Sequence, residues 1–239
     1  MKKLLLAATA LIALVAGNPA SAADMAVRAA APPPAAPISN WTGLYVGAGW
    51  GYGMYNLDTQ VNPAGLPFSA SETLGGRGWL GTVTVGGDYQ LNNWVVLGAF
   101  ADYDWANIKS HNQTPSPIEP FGTVKETGAW SVGARAGWAL NPAFLSYVSV
   151  GYTRARFTDS AAVLPSHNYS GWFIGTGVET RLSGLLGFLG PGWFWRNEYR
   201  FADYSSTTFS NNPLLTTVTV RPFVQTVRSE IIYKFNWGY

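Results

Sequence analysis

The chain has 239 residues, of which 47% are hydrophobic, 15% aromatic and only 12% charged. That charged fraction is about half of what a water-facing domain carries, so much of the surface is predicted to face something other than water. The absence of cysteine excludes a disulfide framework, Cys-ligated metals and thiol catalysis, and the formal charge of +2 disappears once Lys2 and Lys3 are cleaved off, which leaves no case for nucleic acid binding.

Lys2 and Lys3 form a basic start, Leu4 to Ala16 an apolar run, and Ala20-Ser21-Ala22 a small-residue cleavage site, so residues 1–22 read as a secretory signal peptide. The apolar run is too short to cross a bilayer as a helix, and no later apolar run reaches the ~18 residues that a helical span needs. Residues 23–40 contain AAAPPPAAP, Ala29 to Pro37, which can neither pair into a sheet nor bury a core; they read as a periplasmic tether. The remainder, 41–239, is predicted to be an all-β domain, an eight-stranded antiparallel transmembrane barrel.

Its strands follow from alternation with a period of two. Trp41 to Gly53 places Leu44, Val46, Ala48, Trp50 and Tyr52 on one face and Gly43, Tyr45, Gly47, Gly49 and Gly51 on the other, with Trp41 ahead of the regular strand. Met54 to Arg77 reads as a loop. Gly78 to Leu91 alternates Trp79, Val83, Val85 and Tyr89 against Thr82, Thr84, Asp88 and Gln90, and Asn92-Asn93 makes a tight turn. Trp94 to Ile108 sets Val95, Leu97, Ala99, Ala101, Tyr103 and Trp105 against Gly98, Phe100, Asp102 and Asp104. Val124 to Leu140 sets Trp130, Val132, Ala134, Ala136 and Trp138 against Thr127, Ser131, Gly133, Arg135 and Gly137, and Asn141-Pro142 turns the chain again. The fifth and sixth strands are Phe144 to Phe157 and Tyr169 to Leu182, the latter with Glu179 and Arg181 inward; Trp193 to Tyr204 carries Arg196, Glu198 and Arg200 inward.

The closing strand, Arg221 to Tyr239, shows Phe223, Val227, Ile231, Tyr233, Phe235, Trp237 and Tyr239 on one face and Thr226, Arg228, Glu230 and Lys234 on the other. An even strand number puts both termini on the side of the short turns, which face the periplasm in such barrels, and four long loops on the outer side. Running the strands up and down gathers Tyr89, Trp138, Phe144, Trp195, Tyr233 and Phe235 at one level and Trp50, Trp79, Trp105, Trp130, Tyr152, Trp172 and Phe223 at another, two girdles of the kind that flank a bilayer. Ser183 to Gly192, SGLLGFLGPG, departs from a short polar turn and is predicted to dip into the headgroups rather than to bind a partner.

The opening motif Asn40-Trp41-Thr42-Gly43-Leu44-Tyr45-Val46-Gly47, the Gly-aromatic strand pairs and the closing Tyr233-Lys234-Phe235-Asn236-Trp237 resemble the small outer-membrane surface-antigen, porin-like family of alphaproteobacteria. The resemblance implies an outer-membrane barrel surrounded by lipid and lipopolysaccharide. It implies insertion by the barrel assembly machinery through the signal Tyr233, Phe235 and Trp237, and a structural or surface-exposed envelope role, with haemin binding in some members. No cofactor is expected, and oligomeric state is left open.

Eight strands leave an interior just wide enough for side chains to fill it. Glycines line the early strands and long charged groups the late ones, so Arg228 and Glu230 are expected to lie across the Gly47 to Gly51 stripe. With Arg135, Glu179, Arg181, Arg196, Glu198, Arg200 and Lys234 they would form one lumen charge network. Two readings stay open, a salt-bridged plug, which is preferred, and a narrow channel threading the gaps beside the glycines. A surface receptor that takes a ligand such as haemin through its outer loops is a third. An enzyme is not expected, because the two histidines, His111 and His167, are both assigned to loops and neither is held as a base against a nucleophile such as Ser166.

Overall fold

The structure is a computed structural model that describes residues 40–63, 70–110, 123–159, 166–182, 190, 192–211 and 216–235. Among these residues nine strands form: β1 Gly43–Pro63, β2 Ala70–Gln90, β3 Val95–Ser110, β4 Val124–Asn141, β5 Phe144–Asp159, β6 His167–Arg181, β7 Trp193–Tyr204, β8 Thr207–Asn211 and β9 Thr216–Phe235. Neighbours pair antiparallel in the order β1 to β7, then β9, and β9 pairs back onto β1 from Leu44↔Phe235 to Pro63↔Thr216, which closes an eight-stranded barrel. The short β8 lies outside the closure, as an extension paired to the start of β9. Signal peptide, tether, Trp237 and most of the Leu-rich turn lie outside the described residues.

The alternation of the sequence is the alternation of the wall. Leu44, Val46, Trp50, Trp79, Val85, Tyr89, Leu97, Trp105, Val132, Val150, Ile174, Trp195 and Val227 are all exposed, while their sequence neighbours on the other face are buried or half-buried. An apolar exterior and a polar interior suit a barrel whose solvent is lipid. Girdle residues touch one another around the wall. At one level Tyr52 meets Trp79 with ring centroids 5.2 Å apart, Trp130 meets Tyr152 at 5.4 Å and Trp172 meets Phe201 at 6.2 Å; at the other, Trp193 meets Tyr233 at 5.0 Å. The two tight turns are held by asparagine side chains. Asn92 Oδ1 accepts from the Trp94 and Val95 amides at 3.0 and 2.8 Å, and Asn141 Oδ1 accepts from the Ala143 amide at 2.9 Å. On the same end, Gly192 adopts φ +113°, where a side chain would be strained, and its carbonyl accepts from the Lys234 amide at 2.8 Å.

The three largest differences in strand boundary from the sequence reading have one cause. Met54 to Arg77 is not a single loop: β1 continues to Pro63 and β2 begins at Ala70. The closing strand likewise begins at Thr216, five residues before Arg221. At 21 residues β1 is about twice the ~9–11 that cross a bilayer, so the barrel continues beyond the girdle on the loop side. There the pattern inverts. Tyr55, Leu57, Leu74, Val218, Val220 and Val224 turn inward and are buried, while Asp58, Gln60, Thr73 and Arg221 turn outward, as in a barrel in water. Pro222 is tolerated within β9 because it lies between the last residue paired to β8, Val220, and the first paired to β7, Phe223, where no ladder amide is required on that side.

The fourth strand also carries a correction. A bulge at Glu126/Gly128 shifts its register against β5, and the β3–β4 register shifts between Trp105 and Ile108. Glu126 is therefore buried inside, whereas Thr127, expected inward, lines the outer wall and donates its hydroxyl to the Arg156 carbonyl at 3.2 Å.

Candidate functional site

The lumen between the girdles is where charged groups meet. Every second residue of a strand faces inward, so the barrel converts a one-dimensional pattern into a ring of side chains pointing at one axis. Arg228 and Glu230 stand across β1 from Gly51 and Gly49 in the β1–β9 register, where bare backbone leaves them room. A Cβ added at Gly51 would lie 3.1 Å from Arg228 Cγ.

Two clusters result. Nearer the turn end, Glu179 is fully buried and accepts from Arg135 Nη1 at 3.0 Å and Arg196 Nη2 at 2.9 Å, with Lys234 Nζ 2.6 Å from its other oxygen. Asp88 takes the rest of the charge: Arg135 forks onto it, with Nε at 2.8 Å, and Lys234 Nζ donates to it at 2.8 Å. Aromatic faces complete the shell. The Arg196 guanidinium lies 4.6 Å over the Tyr45 ring, Arg135 5.0 Å over Tyr147, and Lys234 4.8 Å over Trp41, which closes the turn end beside Phe194.

One step further along the axis, Arg200 Nη2 donates to Asp102 at 2.7 Å and its Nε donates to Glu198 at 2.9 Å, while Arg228 Nη2 donates to Glu198 at 2.6 Å and Nη1 to Asp104 at 3.3 Å. Tyr147 donates its hydroxyl to Glu198 at 2.9 Å, and Thr84 donates to Glu230 at 3.1 Å. Arg196 Nη1, 3.8 Å from Glu230, joins the two clusters. The gap bounded by Thr84, Phe100, Asp102, Arg135, Arg196, Glu198, Arg228 and Glu230 is too small to hold a water molecule.

Of the nine residues expected in the network, eight meet in this way. Arg181 does not: it sits at the turn end of β6, its guanidinium 5.2 Å over the Phe194 ring, and forms no ion pair among the described residues. Asp88, Asp102 and Asp104 were placed inward by the alternation but not counted in the network. They supply half of its carboxylates. Above the ions a further layer closes the lumen toward the loops, built from Tyr55, Leu80, Ile108, Val124, Phe157 and Tyr204, with the Tyr55 hydroxyl donating to the Val124 carbonyl at 2.6 Å.

Tyr233 and Phe235 face outward at the turn end, their rings 4.9 Å apart. His167 opens β6 rather than lying in a loop, its ring held between Tyr169 at 4.9 Å and Phe209 at 5.3 Å with Thr207 Oγ1 3.5 Å from Nε2. His111 lies outside the described residues. Among the described residues no group of three His, Asp or Glu side chains is arranged to hold a metal ion.

The chain is similar to several known outer-membrane proteins. The 31 kDa outer-membrane immunogenic proteins of Brucella melitensis and Brucella suis are each 28% identical over 232 residues, covering 85% of this chain and 87% of theirs. Among solved structures, the outer membrane protein OprG of Pseudomonas aeruginosa aligns over 80% of this chain and 96% of its own with a TM-score of 0.46 and 10% identity. Neisserial surface protein A aligns over 81% and 97% with a TM-score of 0.44 and 14% identity. The surface-antigen resemblance carried by the opening and closing motifs is thus found again in the Brucella proteins. The family model described as "Outer membrane protein beta-barrel domain" matches residues 10–221. With a closed antiparallel wall that is apolar outside and ionic within, matched over most of its length by that model, the chain belongs to the outer-membrane β-barrel family.

Proposed function

We propose that the protein is a non-conducting structural barrel of the outer membrane whose loop end is presented at the cell surface. The observation that carries this reading is the filled lumen. Trp41, Phe194 and Lys234 close the turn end, the two ion clusters occupy the middle, and the Tyr55–Phe157–Tyr204 layer closes the loop end. A hydrated ion would have to break buried charge pairs and part an apolar layer to pass, both of which are costly. The refolded chain without residues 1–22, inserted in planar bilayers after a gel has shown the heat-modifiable folded form, is expected to give no steady single-channel steps. Reproducible ion-selective steps would replace this reading by the narrow channel, lined by Arg228, Glu230 and Lys234.

Barrel length supports the orientation with the loop end outward. Among the described residues the strands overshoot the girdle only on the loop side, the side that projects into water, and the relatives named as immunogenic outer-membrane proteins fit a chain displayed there. The closing residues Tyr233 and Phe235 would then be read at the periplasmic side by the assembly machinery. The chain has no cysteine, so a single introduced thiol reports sidedness. Ser206→Cys, exposed at the loop end, is expected to react with an impermeant maleimide on intact cells, and Asn93→Cys in the β2–β3 turn is expected to react only after the membrane is opened.

A further inference from the structure

We propose that an outward groove across β3 to β6, just beyond the loop-side girdle, binds the phosphorylated sugar headgroup of an outer-leaflet glycolipid. The groove encloses about 450 Å³ and is lined by Tyr103, Thr127, Gly128, Ala129, Trp130, Arg154, Arg156 and Asn168. That volume lies in the range of small-ligand sites. The bulge makes it: at Gly128 the wall carries no side chain, and Arg156 stands directly opposite across the β4–β5 ladder.

Its chemistry is that of an anion site. Arg154 and Arg156 are exposed, and neither forms an ion pair among the described residues. Both lie on β5 beyond Tyr152, a girdle residue, at roughly 5 and 10 Å along the membrane normal for a strand tilted by ~40°. That is the depth at which lipid phosphates lie. Tyr103 and Trp130 give the groove flat aromatic walls, which suit the C–H face of a sugar ring beside the phosphate.

Charge distribution around the wall separates this groove from its surroundings. Arg77, Lys125, Arg154 and Arg156 all face outward beyond the girdle on β2, β4 and β5, and among the residues of β2 to β6 whose side chains are described no outward-facing one is acidic. On the opposite arc no positive charge accumulates: Arg221 on β9 donates to Asp203 on β7 at 2.7 Å, and Asp58 faces outward on β1. A ring of non-specific basic residues would not be confined to one arc, and among the described residues the turn-side girdle has no such flank.

The assignment of the outer leaflet rests on the orientation proposed above, but the binding itself can be measured without it. The full mature chain in detergent micelles is titrated with bisphosphorylated lipid A and with its dephosphorylated form, followed by tryptophan fluorescence, since Trp130 lines the groove. Wild type is expected to bind the phosphorylated form at least about tenfold more tightly, and Arg154→Gln/Arg156→Gln to lose that preference while Arg221→Gln keeps it. Equal binding of the two glycolipids by wild type, or an unchanged preference in the double variant, overturns the proposal. Displacement of the lipid by excess inorganic phosphate would reassign the groove to free anions and overturns the glycolipid assignment. Should the double variant not fold, Arg156→Gln alone and the wild-type comparison still decide. Micelles have no sidedness, so a failure here leaves the orientation standing, and the Ser206→Cys labelling tests that by itself.

Discussion

Glu179→Ala is expected to lower the unfolding free energy of the barrel by about 3–5 kcal/mol, the cost of leaving buried charges without their partner. Glu179 has no solvent exposure and is the point where Arg135 at 3.0 Å, Arg196 at 2.9 Å and Lys234 at 2.6 Å converge. Without it three buried cations share Asp88 and the more distant Glu230. The measurement is a urea titration of the protein refolded in lipid vesicles, read by tryptophan fluorescence and by the heat-shifted gel band. Arg181→Ala, two residues along the same strand and outside the ion clusters, is the control, and a change of less than about 1 kcal/mol is expected there. Similar losses for both variants would mean that the clusters contribute little beyond the volume of their side chains.

How much of this arrangement could be read from the sequence depends on where the period-two pattern kept one phase. Between the girdles it does, so the outward faces from Leu44 to Tyr52 and from Val227 to Phe235, and the inward positions of Arg135, Glu179 and Arg228, follow from alternation alone. Beyond the loop-side girdle the phase of hydrophobicity reverses. Tyr55, Leu57, Val218 and Val220 are apolar on what is elsewhere the polar face, and a search for lipid-facing alternation reads such a stretch as loop. A search for either phase would have found it, because Tyr55-x-Leu57 continues the inward register of Gly51 and Gly53 without a break. The missed acids had a signal too. The expected network held six cations, Arg135, Arg181, Arg196, Arg200, Arg228 and Lys234, against three carboxylates, a surplus no buried cluster tolerates. Asp88, Asp102 and Asp104, already on inward positions, were the groups that could neutralise it. The bulge at Gly128 had no such signal, since one inserted residue leaves the flanking alternation intact on each side; with it went the phase of Thr127 and the outer groove.

Gly49→Val is expected to cost about 3 kcal/mol or more and to reduce the yield of closed barrel, because Gly49 lies on the seam where the first and last strands meet. It pairs with Glu230, and a Cβ there would run into the Ser229 carbonyl oxygen and lie 2.6 Å from the Glu230 Cα. Those are backbone atoms of the partner strand, which no rotamer can move aside, so the seam itself must open. Other glycines give the contrast. At Gly47 the nearest atom is the end of the Ile232 side chain, which can turn away, and at Gly81 nothing lies within 4 Å. The expected order of loss is therefore Gly49→Val well above Gly47→Ala, with Gly81→Ala close to wild type, measured as the heat-modifiable fraction after refolding and as the urea midpoint. If Gly49→Val matched Gly81→Ala, the β1–β9 ladder would have slack at its centre. The ions of β9 would then not be held against bare backbone, and the packed lumen on which the non-conducting reading rests would lose its tightest wall.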